Sequence, residues 1–340
     1  MNKRKTIVII DGNNLAYGIY SRFKEGKSGL LSSTTGIPTT VIFGMLRSLE
    51  TFVKHTEVDR AIVCWDVGGG SKWRKSIFPQ YKAGRKYGGM EDYFAELESA
   101  REYLALFGIN QGPCQGIEAD DVIGWLTKKY ESEGWKVIIY SNDKDYYQLV
   151  TKHVSIWRTA VERFVGVKEV VQAHGIPPNR IHLLDGLLGQ QKDNIPGACD
   201  LDENGVMKKF GFGEAKALKL LCHPDNEDMT LRNVLRILRS EKPPVSEKFV
   251  AQLLRNWKQV TISAKLSRIR TKDRHYEGWE IEKLQEVYSQ SIKLEEIDSK
   301  NIFKVSSMLD IRMIDIATIC KKIGVNVKGK TRKKVIVKVA

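Results

Sequence analysis

With 340 residues, 42% of them hydrophobic, and no apolar run near the ~20 residues of a bilayer span, the chain has room for about two cored domains and is not a helical membrane protein. Its five cysteines are odd in number and never spaced C-x-x-C, which excludes a disulfide framework and a zinc ribbon and predicts reduced thiols in a cytoplasmic protein. A formal net charge of +14 and a pI near 9.4 predict a polyanionic partner, nucleic acid being the commonest.

The first predicted element is Thr6-Ile7-Val8-Ile9-Ile10-Asp11. It is too short for the apolar core of a signal peptide and no small-residue cleavage site follows, so it reads as a buried strand. The same pattern, a β-branched run closing on Asp, recurs at Ala61 to Asp66 and at Val137 to Asp143. Such runs without alternation suit a parallel sheet covered on both faces. Helical periodicity separates them, at roughly 38–55, 91–107 and 119–132. Alternating strands and helices predict an α/β fold with right-handed crossovers. Beyond about residue 170 helical patterns take over, broken at Gly175-Ile176-Pro177-Pro178, Asn194-Ile195-Pro196-Gly197 and Pro243-Pro244. The expected organisation is an α/β core over 1–170, a helical region over 171–325 and a basic tail over 326–340. No internal repeat or low-complexity block is present.

Ligands of such sheets bind outside the carboxyl ends of the strands, and the three strands would deliver Asp11, Asp66 and Asp143 to one rim. Glu118-Ala119-Asp120-Asp121 opens the helix beginning near 119. Its acids suit a helix N-terminus, with Glu118 and Asp121 on one face and Asp120 on the next. Asp143 and Asp145 are spaced i, i+2, one side of an extended chain. So many carboxylates cannot all ionise side by side without cations. Hard oxygen ligands favour Mg²⁺, with Mn²⁺ able to substitute. A single strand-ending Asp is commonplace in α/β proteins; the joint occurrence carries the signal. The alternative of a phosphatase with D-x-D after its first strand fails, because Asp11-Gly12-Asn13 has no second carboxylate. The six histidines show no triad-like placement.

Five motifs in order resemble the bacterial and bacteriophage 5′–3′ exonuclease and flap endonuclease family, which includes the N-terminal nuclease domain of DNA polymerase I. They are Val8 to Leu15; Trp73-Arg74 through Tyr81-Lys82-Ala83-Gly84-Arg85; Glu118-Ala119-Asp120-Asp121; Asp143-Lys144-Asp145-Tyr146-Tyr147-Gln148-Leu149-Val150; and Asp193-Asn194-Ile195-Pro196-Gly197. The resemblance spans residues 6 to about 220. It implies a PIN-like, resolvase-like nuclease core, a helical arch over about 67–93 and a helix-hairpin-helix element in the helical region. It implies metal ligation by Asp11, Asp66, Glu118, Asp120, Asp121, Asp143, Asp145 and Asp193, and contact of Lys82 and Arg85 with the scissile phosphate, Arg74 nearby. The arch residues, basic with interleaved aromatics, suit phosphates and unpaired bases, and mobility without DNA is expected of them. Gly211-Phe212-Gly213 and Lys216 match the hairpin that holds a duplex phosphate, often with K⁺ between.

Two departures follow. Gln190 stands where the family has a carboxylate, which predicts a weakened second ion. Residues 198–210 intervene before the hairpin; Asp200 to Gly205 opens like an EF-hand loop, but position twelve is Gly211, not Glu. The leading expectation is a monomeric, metal-dependent 5′ nuclease acting in replication or repair on 5′ flaps, nicks or 5′ ends of DNA, or on the RNA of primer hybrids. A polymerase or single-strand-binding protein is the expected partner, and with no polymerase segment a stand-alone enzyme is expected. The rivals are a structure-specific DNA-binding protein with weakened catalysis, argued from Gln190, and a PIN-type ribonuclease, against which the duplex-binding hairpin speaks.

Overall fold

The apolar run at the start forms β1 (Thr6–Asp11), the centre of the molecule's main sheet. The computed structural model describes residues 4–26, 29–85, 88–200, 202–203, 211–293, 296–311 and 313–329. After β1 come α1 (Gly12–Glu25), α2 (Thr40–His55), β2 (Arg60–Trp65), α3 (Lys72–Ile77), α4 (Glu91–Leu106) and β3 (Asn110–Pro113). Then follow α5 (Ala119–Ser132), β4 (Lys136–Tyr140), β5 (Val154–Arg158) and β6 (Arg163–Val165). The sheet order is β3-β2-β1-β4-β5-β6, parallel throughout except for β6 against β5.

Both faces of β1 are covered, as its unbroken apolar sequence requires. Ile7 and Ile9 pack into one core with α5 residues such as Val122 and Leu126. Val8 and Ile10 pack into the other with Val41 and Met45 of α2 and Leu104 of α4. All four side chains have 0% exposure.

The helical region expected at 171–325 divides between those faces. The elements α6 (Val167–His174), α7 (Ile181–Leu188), α8 (Glu214–Leu221), α9 (Leu231–Leu238), α10 (Glu247–Arg255), α11 (Trp257–Ser267) and α12 (Gly278–Ile292) join the first core. The chain then changes sides. The short strand β7 (Glu296–Asp298), α13 (Ser299–Met308), α14 (Ile316–Lys322) and β8 (Asn326–Lys328) sit with the second core, through Ile302, Ile316, Ile319 and Ile323. Residues 326–328, expected to begin a basic tail, pair in parallel with β7 instead. The tail from 330 onward lies outside the described residues.

The helices α7 and α11 cross where Gly186 meets Ala264. A Cβ on Gly186 would stand 2.4 Å from the Ala264 Cβ and 2.7 Å from its Cα. Alanine gains about 1 kcal/mol of helix propensity over glycine, but overlap with backbone costs about 1–3 kcal/mol. Gly186→Ala is therefore expected to lower the urea midpoint; a raised midpoint would show that the two helices part freely.

Candidate active site

The chain leaves β1 towards β2 on one side and later returns to place β4 on the other. That makes the carboxyl end of β1 a topological switch point, where crevices form in open α/β sheets. Asp11 ends β1 there and is 5% exposed. Its Oδ1 accepts the Asn14 N–H at 3.1 Å, capping α1. Its Oδ2 accepts from the Ser141 hydroxyl at 3.0 Å, just past the end of β4, and from the Tyr146 hydroxyl at 3.1 Å. The same Tyr146 oxygen lies 2.6 Å from Asp120 Oδ1. One hydroxyl has one proton to donate, so Asp11 and Asp120 compete for it. Asp66, just beyond β2, accepts the Ala119 N–H at 2.7 Å and so ties the strand tip to the start of α5.

Burial pushes the Asp11 carboxyl up to about 6, with Asp143 and Asp66 adding repulsion against its hydrogen bonds. Burial likewise raises Asp120 well above the carboxylate range, with Asp11 the next cause. Asp66 is raised too, by displacement of water and then by Glu118. Lys82 opposes the rise of Asp120, and Lys82 and Arg85 oppose that of Asp66, without cancelling either.

The neighbouring acids carry their own cations. Lys192 holds Asp143 at 3.0 Å and Asp145 at 3.1 Å. Asp143 also caps the 3-10 turn Lys144–Leu149 by accepting the Asp145 N–H at 2.9 Å. Glu118 takes hydrogen bonds from Arg74 and Lys82, and Arg85 donates to Asp193 at 2.6 Å.

These contacts bear on three of the expected roles. Arg74, expected near the scissile phosphate, is 4% exposed, and all five of its N–H groups are committed. They go to Glu118, to both oxygens of Asp121, and to the carbonyls of Leu266 and Arg268. Asp121 has 0% exposure and is closed between Arg74 and Arg270, whose Nε stands 2.8 Å away, leaving no open face for an ion. Paired arginines also hold its carboxyl below the usual range against the cost of burial. The described part of the expected arch contains the short helix α3 and the first residues of α4, and it touches the core: Tyr81 is buried and the Lys82 N–H donates to the Asp193 carbonyl at 2.9 Å. Residues 86 and 87 of that segment lie outside the described residues.

The hairpin residues are placed at the start of α8, with Gly213 as its N-cap. Lys216 donates to the Gly211 carbonyl at 3.1 Å. A Cβ on Gly211 or Gly213 would meet nothing within 4 Å, and Gly213 has φ −92°, so the chain's own packing does not require glycine at 213. Residues 201 and 204–210 of the insert, and with them most of the EF-hand-like loop, lie outside the described residues.

Two residues of the rim had no assigned role in the sequence. Asp185 on α7 is pushed up to about 7, by burial and then by Asp145. As the one acid in Ile181-His182-Leu183-Leu184-Asp185-Gly186-Leu187-Leu188, it was visible as an interruption of an apolar helix. It lines a 450 Å³ cleft with Asp143, Asp145 and Lys192. Lys192 left no signal, because its meaning depends on where a loop carries it.

The chain is similar to known proteins over most of its length. The family described as 5′-3′ exonuclease, N-terminal resolvase-like domain, matches residues 6–175. The chain is 31% identical to a 5′-3′ exonuclease of Aquifex aeolicus over 62% of itself and 71% of that protein. It is 30% identical to a 5′-3′ exonuclease of Buchnera aphidicola over 79% of itself and 87% of that protein. It is also 30% identical to DNA polymerase I of Bacillus subtilis over 77% of itself, but spans only 28% of that longer relative. Among solved structures, a bacteriophage T5 flap endonuclease complex with DNA and metal ions superposes with a TM-score of 0.65 at 18% identity, covering 85% of this chain and 100% of that one, a likeness of fold. The chain belongs to the 5′-3′ exonuclease family, through its N-terminal resolvase-like domain.

Proposed function

We propose that this chain is a divalent-metal-dependent 5′ nuclease, hydrolysing phosphodiesters near the 5′ end of flapped, nicked or otherwise branched DNA in replication or repair, with the RNA of primer hybrids as a further substrate. The observation that carries the reading is the convergence of Asp11, Asp66 and Asp120 from two strand tips and one helix start. Each carboxyl is raised by burial and by its acidic neighbours. Groups so disposed gain by meeting a cation.

The donor set is all oxygen, which fits Mg²⁺ with Mn²⁺ as a substitute. Among the described residues, no three His, Cys, Asp or Glu side chains form a group that could hold an ion by themselves. Mg²⁺ keeps several of its own waters and needs few protein ligands. Asp11, Asp66 and Asp120 would hold the ion, with Glu118, Asp143, Asp145 and Asp193 reached directly or through water. Bound there, a divalent cation neutralises the carboxylates and lowers the pKa of a water poised to attack.

The chain's own cations do the positioning. Lys82 and Arg85 stand on Glu118 and Asp193 and can exchange those carboxylates for an incoming phosphate, supplying charge where the transition state develops it. Gly211, Gly213 and Lys216 would take the duplex backbone, the N–H groups donating to phosphate and K⁺ held between main-chain carbonyl oxygens and phosphate. The protein would act as a monomer, alongside a polymerase or a single-strand-binding protein. No helix among the described residues is long and apolar enough to cross a membrane.

The test is a 5′-flapped duplex incubated with Mg²⁺ or Mn²⁺, native chain and Asp143→Asn side by side. Cleavage by the native chain alone supports the reading. Binding without cleavage under both ions supports the rival, a structure-specific binding protein. The rival is favoured by Gln190, which puts an amide donor 3.0 Å from Asp145.

The metal-free protein should also show an inverted pH response. The native state holds the Asp11 proton up to about 6, above the ordinary 3.8 of the unfolded chain. Ionised Asp11 therefore costs stability above pH 6, and that cost disappears as the pH falls through 6 towards 4. Asp66 and Asp120 act in the same direction. In EDTA, the Tm difference between Asp11→Asn and the native chain should be large near pH ~7.5 and shrink near ~5, and saturating Mg²⁺ should shrink it at the higher pH. A difference that grows on acidification contradicts the assignment.

A further inference from the structure

We propose that the Lys192 ammonium is a built-in cation, standing at Asp143 and Asp145 where a second divalent ion would otherwise sit. This rests on the metal-dependent reading of the site and deepens it. The ammonium has three N–H donors and faces three carboxylate oxygens: Asp143 Oδ2 at 3.0 Å, Asp143 Oδ1 at 3.2 Å and Asp145 Oδ2 at 3.1 Å. The remaining oxygen, Asp145 Oδ1, accepts from the Gln190 amide at 3.0 Å. Both carboxylates are thus served by donors from one loop, one charged and one neutral.

The loop itself is held rigidly, unlike an ordinary surface lysine. Gln190 and Ile195 exchange two backbone hydrogen bonds, of 2.8 and 2.9 Å, closing the turn that contains Lys192. Behind it two glycines pack backbone to backbone: a Cβ on Gly197, at φ +63°, would stand 2.3 Å from the Gly189 nitrogen. Asn194 donates to the Gln80 carbonyl at 2.8 Å, and the Asp193 carbonyl accepts from the Lys82 N–H, fixing the loop to the segment that presents Lys82 and Arg85. The lysine stem therefore starts from a fixed point, and the head reaches both carboxylates although half of the side chain is exposed to water.

A lysine supplies one positive charge where a divalent ion supplies two, and, tethered to the loop, it cannot be lost to solvent as an ion can. The chain would then take up one divalent ion, at Asp11, Asp66 and Asp120, and keep the Asp143–Asp145 end neutralised without a second. The half-exposed side chain makes Lys192→Met a tolerable change of similar length without the charge.

The test is the number of Mn²⁺ ions bound by the full-length chain, read by electron paramagnetic resonance of free Mn²⁺ during titration. The native chain should bind one, Lys192→Met two, and Lys192→Arg, which keeps the charge, one. Melting curves of the three should coincide closely, and a second, spin-coupled Mn²⁺ signal should appear only in Lys192→Met. Two ions on the native chain, or the same number on native and Lys192→Met, overturns the inference while leaving the metal-dependent reading intact. No ion on any of the three overturns both.

Discussion

An Asp120→Asn variant will cleave a 5′-flapped duplex on the order of 10³-fold more slowly than the native chain and yet melt at a higher temperature when metal is absent. The rate follows from the loss of an anionic oxygen from a metal centre worth several kcal/mol of transition-state stabilisation, at tenfold per ~1.36 kcal/mol. The stability follows from the same carboxylate. Asp120 shares the Tyr146 hydroxyl with Asp11, and its carboxyl is raised by burial, by Asp11, by Asp143 and by Asp66, with Lys82 opposing. An amide keeps the acceptor for Tyr146 and removes the repulsion. Stability held back at a site for the sake of activity is a common trade. Single-turnover cleavage with saturating Mg²⁺ gives the rate, and melting in EDTA gives the stability. A variant that is slow but also less stable without metal would mean that Asp120 is a structural acid, and the site would have to be redrawn without it.

The strands and the charges behind that expectation were legible in the sequence because their signals are local. β-Branched runs closing on Asp11, Asp66 and Asp143 mark buried parallel strands, and the helices expected at 38–55, 91–107 and 119–132 fall at Thr40–His55, Glu91–Leu106 and Ala119–Ser132. The helix α1 went unread: Gly12-Asn13-Asn14 favours a turn, and the helix forms because Asp11 caps it and Leu15, Ala16 and Ile19 bury one face. The return of α13 and α14 to the opposite face of the sheet was also hidden, since periodicity shows that a helix has an apolar face but not which core receives it. Within the site, residue type revealed which side chains are acids and not which are already neutralised. Glu118, Asp120 and Asp121 sit within one turn of chain. One is paired with Arg74 and Lys82, one is hydrogen-bonded by Tyr146 among other acids with Lys82 acting on it from a distance, and one is enclosed by Arg74 and Arg270. Residues Leu266 to Arg270, about 190 positions beyond Arg74, decide that division, and no local pattern contains it.

Arg74 gives the sharpest test of that division, because the same residue reads as a neighbour of the scissile phosphate in the sequence and as an internal strut in the fold. Arg74→Ala should destabilise the protein by ~3–5 kcal/mol, the usual cost of breaking a buried ion pair from one side. The lower part of that range is expected, since Asp121 keeps Arg270 and Glu118 keeps Lys82. At ~2–4 °C per kcal/mol for a large domain, Tm should fall by on the order of 10 °C. Arg74→Lys should recover little, because one ammonium cannot serve two carboxylates and the Leu266 and Arg268 carbonyls at once. Cleavage should fall with stability, since Lys82 and Arg85 reach the site from the segment that Arg74 fastens to the core. Removing a single cation from a DNA phosphate flattens the dependence of binding on salt by about one unit of slope. If Arg74 touched DNA, Arg74→Ala would melt as the native chain does and show that flatter slope; the buried network requires the opposite, a lowered Tm with the salt slope of the folded fraction unchanged.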